Sequence, residues 1–315
     1  MSRDVRRSHP SMPRPGAAAV PDASGDLAER ALLPFVLLTF GITWGILGFH
    51  VVAPEAAERI LGVMSATHPL FIVAVWAPAL AALLLVARRT GREGVVRYLG
   101  RLRLWRAPAG WWAFLLLGLP GVFVAGAVLK GTPVGGLLPE AAPGELAAAM
   151  AFMAILGPVE ELGWRGLALP ILQRRRSPFT ASVLLGVVWG VWHLPAFLLS
   201  GTPQSGWGFT PFLVGSVAIS VVLTPFFNAA RGSLLVAVLF HYQLINPLWP
   251  DAQPWDSWIL VGVAAGAVSL HRDTMLRPGS GATEVVPSEP RPPASSPLPM
   301  ADAARREAPS GPGPA

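Results

Sequence analysis

Glu160 and Glu161 are adjacent in the run Gly157-Pro-Val-Glu160-Glu161-Leu-Gly-Trp-Arg165-Gly, beside a long apolar stretch. Two later apolar stretches each carry one histidine, His193 in Val-Trp-Gly-Val-Trp-His-Leu-Pro and His241 in Val-Leu-Phe-His-Tyr-Gln-Leu-Ile-Asn. Ionisable groups at membrane depth are costly, so they ordinarily face a protein interior or a wet cavity and serve a function. Two carboxylates and two imidazoles are the inventory of a hydrolase. Cysteine is absent, which removes disulfides, thiolate metal ligands and cysteine catalysis together. The nucleophile is then water, a hydroxyl or a carboxylate.

Helical spacing sorts the two carboxylates. Residues four apart share a face, so Glu161 is expected to pair with Arg165 while Glu160 points about 100° away, towards other segments. A buried carboxylate without a cationic partner is the better candidate for a general base. Trp189 and His193 are also four apart, which places an indole beside the imidazole and limits its rotation. Taken singly, each feature has an ordinary structural reading: an intrahelical ion pair, an interhelical hydrogen bond from a histidine, an asparagine ending a helix before proline at Asn246. Their conjunction carries the functional reading. His9, His50, His68 and His271 are assigned structural or peripheral roles, and Trp105, Trp111 and Trp112 to an interfacial aromatic belt.

The elements that must hold these groups are membrane helices. The chain is 52% hydrophobic and 13% charged, with a mean hydropathy of +0.51, which does not describe a soluble globular domain. Apolar runs near residues 31–52, 68–87, 109–129, 145–172, 180–199, 210–227, 233–249 and 256–270 approach the length of about 20 residues that spans a bilayer. The expected fold is therefore all-α, a polytopic bundle of about eight transmembrane helices, with seven as the alternative count. The first run exceeds the usual signal-peptide core and is read as a retained anchor.

Eleven arginines (Arg88, Arg89, Arg92, Arg97, Arg101, Arg103, Arg106, Arg174, Arg175, Arg176 and Arg231) fall between runs on one side, against Arg59 and Lys130 on the other. The basic side is expected in the cytoplasm of a multi-pass cell-membrane protein, with both termini there. The net charge of +6 then records orientation and not nucleic-acid binding. With that topology, Glu160, His193 and His241 lie roughly 21, 20 and 12 Å from the cytoplasmic ends of their helices, close to one layer. Residues 1–26 and 278–315 are rich in Pro, Ala, Ser and Gly and are expected to be disordered tails. Between them, residues 27–277 form one transmembrane domain.

The motifs together resemble the CPBP intramembrane peptidases, which include type II CAAX-prenyl endopeptidases and bacterial bacteriocin-processing or immunity proteins. The Glu-Glu-x-x-x-Arg motif is matched by Glu160, Glu161 and Arg165, and the aromatic-x-x-x-His motif by Trp189 and His193, where the family usually has phenylalanine. The third, His-x-x-x-Asn, is matched in part: Ile245 follows His241 at plus four and Asn246 at plus five, so a π-bulge or a broken turn is required to return Asn246 towards His241. The similarity covers about residues 150–250.

The resemblance implies peptide-bond hydrolysis within the bilayer, acting on a peptide or membrane-protein substrate. Glu160 assisted by His193 would activate water, His241 and Asn246 would stabilise the oxyanion, and Glu161 with Arg165 would position the helix. The rival assignment gives Glu160, His193 and His241 to a zinc ion. A non-catalytic immunity or scaffold protein of the same fold is the main alternative function, and a proton-coupled transporter a further one.

Overall fold

The computed structural model describes residues 30–288. The expected tail over residues 1–26, and that beyond residue 288, lie outside the described residues. Eight principal helices succeed one another: α1 Leu32–Val52, α2 Pro69–Arg103, α3 Ala109–Lys130, α4 Pro143–Gln173, α5 Pro178–Trp192, α6 Phe209–Ala229, α7 Leu234–Leu244 and α8 Trp255–Leu270. Among the described residues there is no β-strand. Five of the eight, α1 to α4 and α6, are long and apolar enough to cross a membrane; α5, α7 and α8 are shorter apolar helices. The chain is an all-α, polytopic membrane protein.

Local chemistry marks the starts of these helices. Proline opens α2, α4 and α5, where its fixed φ suits the first turn and its missing N–H costs nothing. Ser177 and Ser233 cap α5 and α7 by accepting from the backbone N–H of Thr180 and Val236 at 3.3 and 3.1 Å, as short polar side chains do at helix N-termini. His68 plays the same part for α2, its Nδ1 accepting from Leu70 N. His50 and His68 are thus occupied structurally, as expected, and His271 stacks on Trp111. Trp111 in turn stacks on Phe226, so this tryptophan is part of the packed interior as well as of a belt.

The arginine-rich stretch after residue 87 is not a loop. The helix kinks at Gly91, which adopts φ 65°, and continues to Gly100. Arg101, counted in the sequence as a marker of orientation, is only 2% exposed. Its Nε donates to Gly232 O at 2.8 Å, and its Nη1 to Gly166 O at 2.7 Å and Val285 O at 3.1 Å. A guanidinium has five donors in a rigid fork, and here it ties α4, the α6–α7 turn and the C-terminal segment together.

That segment corrects the expected boundary of the second tail at residue 278. Val285 and Val286 are buried, Ala282 N donates to Asn228 Oδ1 and Gln173 Nε2 donates to Ala282 O. Proline and glycine content argued against a helix there; it did not prevent an extended segment from being held by side-chain amides and arginines.

Candidate functional site

Helix α4 is irregular where the glutamates lie. Regular α-helix runs from Pro143 to Leu156, tightens into a 3-10 turn over Pro158–Glu160, resumes at Glu161–Gly163 and widens into π-helical turns over Trp164–Ala168. Pro158 cannot donate to the preceding turn and its ring crowds the carbonyl four residues back, which accounts for the break. π-Turns within membrane helices often mark functional positions. Close packing requires glycine at two points. A Cβ on Gly157 would stand 2.6 Å from Ile245 Cδ1 and 3.3 Å from His241 Nε2, and one on Gly163 would meet Pro78 O at 2.4 Å. The absent side chains let α7 and α2 approach the break.

Glu160 and Glu161 are both buried, at 4% and 1% exposure. Glu161 Oε1 accepts from Arg165 Nη1 at 2.9 Å and pairs with His241 Nδ1 at 2.8 Å. The i, i+4 pair read from spacing is present, but Glu161, not Glu160, is the carboxylate bonded to a histidine. Glu160 Oε2 instead accepts the indole N–H of Trp189 at 3.1 Å. Trp189 is the organising side chain. The Arg165 guanidinium lies 4.9 Å from its ring centroid, and His193 and His241 meet it edge to face at 5.3 and 5.7 Å. One indole therefore touches Glu160 and both histidines and receives the arginine, an arrangement the four-residue spacing to His193 only hinted at.

The histidine nitrogens are unequal. His193 Nδ1 lies 2.8 Å from Trp189 O. A carbonyl only accepts, so Nδ1 carries the proton and Nε2 of the neutral ring is left as an acceptor. His193 closes α5, where Trp192 Nε1 donates to Thr43 Oγ1 and Trp44 Nε1 to Trp192 O; these bonds anchor the helix end on α1. His241 is fixed through Glu161, leaving its Nε2 beside Gly157.

Asn246 returns to the site by a broken turn. Helix α7 ends at Leu244, Ile245 leaves helical geometry with φ −117° and ψ 12°, and Asn246 is 7% exposed. Asn246 Nδ2 donates to Gln243 Oε1 at 3.1 Å, and its Oδ1 accepts from Leu248 N at 3.0 Å. Gln243, not singled out by the sequence, is itself held by donating to Leu115 O.

Glu160, His193, His241 and Asn246 all line one cavity of about 450 Å³. Glu161 and Arg165 stand behind that wall. The cavity extends to the loops carrying Ala66, Pro203, Trp207 and Trp249, all on the arginine-poor end of the bundle. Among the described residues no group of three His, Cys, Asp or Glu side chains is arranged to hold a metal ion.

A family model described as type II CAAX prenyl endopeptidase Rce1-like matches residues 142–244, the interval from the start of α4 to the end of α7. Over that interval the chain is similar to the type II CAAX prenyl endopeptidases. CAAX prenyl protease 2 of Methanococcus maripaludis is 31% identical to this protein over 120 residues, 35% of this chain and 44% of the relative. The chain thus spans less than half the length of that curated relative. The matched interval holds Glu160, Glu161, Arg165, Trp189, His193 and His241, and stops two residues short of Asn246.

Proposed function

We propose that this protein is an intramembrane peptidase of the CPBP type in which Glu160 activates water. The observation that carries the reading is the convergence of Glu160, His193, His241 and Asn246, from three segments, on one cavity. Glu160 accepts the water's proton, and His193, with Nε2 as acceptor, orients the water or relays the proton onward. As the hydroxide adds to the scissile carbonyl, the oxyanion meets His241 Nε2–H in the protonated ring and the second N–H of the Asn246 amide, whose first is given to Gln243. The proton then passes to the leaving amine, and the carbon–nitrogen bond breaks. Glu161 holds His241 by Nδ1, and Arg165 balances the charge of Glu161.

The two glutamates are distinguished by experiment. In Glu160→Gln, hydrolysis of a membrane-inserted or apolar peptide falls by orders of magnitude while thermal unfolding in detergent moves little, because the amide is no harder to bury. Glu161→Gln strips Arg165 and His241 of their shared carboxylate and acts through stability, since breaking a buried pair costs about 3 to 5 kcal/mol. A larger shift in unfolding for Glu160→Gln would reverse the assignment, and full turnover in Glu160→Gln would remove Glu160 as the base. The metal-free form of the mechanism has its own measurement. Purified active protein should contain no stoichiometric zinc; one zinc per chain that disappears in His241→Ala would overturn it.

A further inference from the structure

The cavity has a second polar corner that the proposed chemistry does not use. Asp256, in the first turn of α8, lines the cavity and is 7% exposed. Its Oδ1 accepts from Ser257 N at 2.7 Å, and its Oδ2 from Gln253 Nε2 at 3.3 Å. The same Nε2 donates to Ser257 Oγ at 3.0 Å, so the Gln253 amide is oriented by two acceptors and its Oε1 is left buried without a donor. The neighbouring Asp251 is already paired with Lys130 at 2.7 Å.

Acceptors outnumber donors in this corner. Among the described residues, no lysine or arginine lines the cavity, whose walls are otherwise largely apolar and aromatic, with Phe123, Trp207, Phe212, Trp249 and Leu260 among them. The helix N-terminus helps the carboxylate remain there without a cation, yet it leaves the negative charge displayed on the wall. A buried carboxylate on an otherwise largely apolar wall matches a group that is positively charged and carries several N–H donors. A metal ion is a poorer match, because no third acidic or imidazole ligand joins the group.

We propose that Asp256, with Gln253, forms a subsite for a protonated nitrogen of the substrate, so that the cavity selects an apolar peptide carrying a cationic group. That the ligand is a peptide rests on the peptidase reading; that it is cationic rests on Asp256 itself. Asp256 and Asn246 line the same cavity. A substrate anchored there by its charge would lie in the cavity that Glu160 also lines. The nitrogen is that of a lysine or arginine side chain or of a free amino terminus, which share this chemistry.

The test is binding, read without turnover, in full-length Glu160→Gln protein in detergent. Four dansyl-labelled apolar peptides carry either lysine or norleucine at one position, with a free or an acetylated amino terminus, and affinity is followed by energy transfer from the cavity tryptophans. The expected result is that at least one cationic form binds about 10-fold or more tightly than the acetylated norleucine peptide. Comparing acetylated lysine with free-amine norleucine identifies the source of the charge. The preference should vanish when Asp256→Asn is added. Asp256→Ser, neutral but still able to accept at a helix N-terminus, carries the same test if the asparagine variant does not fold. Equal affinity for all four peptides, no binding, or a preference that survives loss of the charge overturns the subsite. Hydrolysis by the unsubstituted protein is measured in parallel. Asp256-dependent selectivity without cleavage would sink the peptidase reading and keep the subsite, whereas cleavage with equal kcat/KM for charged and neutral peptides would do the reverse.

Discussion

At the scale of single residues, Trp189 has the widest reach. Its indole N–H reaches Glu160, its ring receives Arg165, and it packs against both histidines. A phenylalanine would keep most of the packing and lose the donor. Trp189→Phe is therefore expected to leave substrate binding near its starting value and to lower kcat about 10-fold, the kinetic equivalent of one hydrogen bond to a charged group. A change confined to KM would show that the indole serves the substrate and not Glu160. Glu161 illustrates a different economy: one oxygen serves Arg165 and His241 together, while its Oε2 and the Nε and Nη2 of Arg165 are buried without partners. The incompletely satisfied group resists rearrangement less than a fully bonded one would, so its geometry depends on the packing of α2 and α7 around it.

At the scale of elements, the site is built on departures from regular helix. α4 tightens before Glu161 and widens after Gly163, and α7 stops before Asn246. A continuous α-helix through Gly157 would have no reason to bring Glu160 against the end of α5 while holding Glu161 against α7. The contact at Gly157 makes this testable. Gly157→Val introduces branches where a Cβ alone would come within 2.6 Å of Ile245, so α7 must move away. The expected outcome is loss of turnover together with destabilisation of about 1 to 3 kcal/mol, the usual cost of overpacking. Retention of both would mean that α7 is not held against α4 as described.

At the scale of the whole molecule, the site's position along the bundle decides how a substrate reaches it. The cavity meets loops on the arginine-poor end, while Arg101 and the segment through Val286 close the opposite end. If the arginine-rich end is cytoplasmic, as the charge asymmetry favours, substrates enter from the outer face. Reporters fused after Arg103 or Arg175 should then read as cytoplasmic, and one fused near Gly136 as external. The reverse pattern would leave the cavity intact but turn its mouth towards the cytoplasm.

The sequence by itself determined the class of fold, the order of eight apolar helices and the pairing of Glu161 with Arg165, and it named as candidates four residues, Glu160, His193, His241 and Asn246, that line one cavity. Each follows from local properties: hydropathy over about 20 residues, spacing on one helix, and the scarcity of ionisable groups within apolar runs. For the plus-five Asn246 the sequence left a π-bulge or a broken turn open, and the structure has the broken turn, at Ile245. The tertiary structure alone decided that His241 bonds Glu161, that Trp189 bonds Glu160, that Arg101 is an internal tie, and that residues 282–286 dock. It also brought Asp256 to the cavity wall. Such contacts join groups tens of residues apart, 80 between Glu161 and His241 and 184 between Arg101 and Val285. No periodicity records them, since they depend on how helices pack and not on how each one forms.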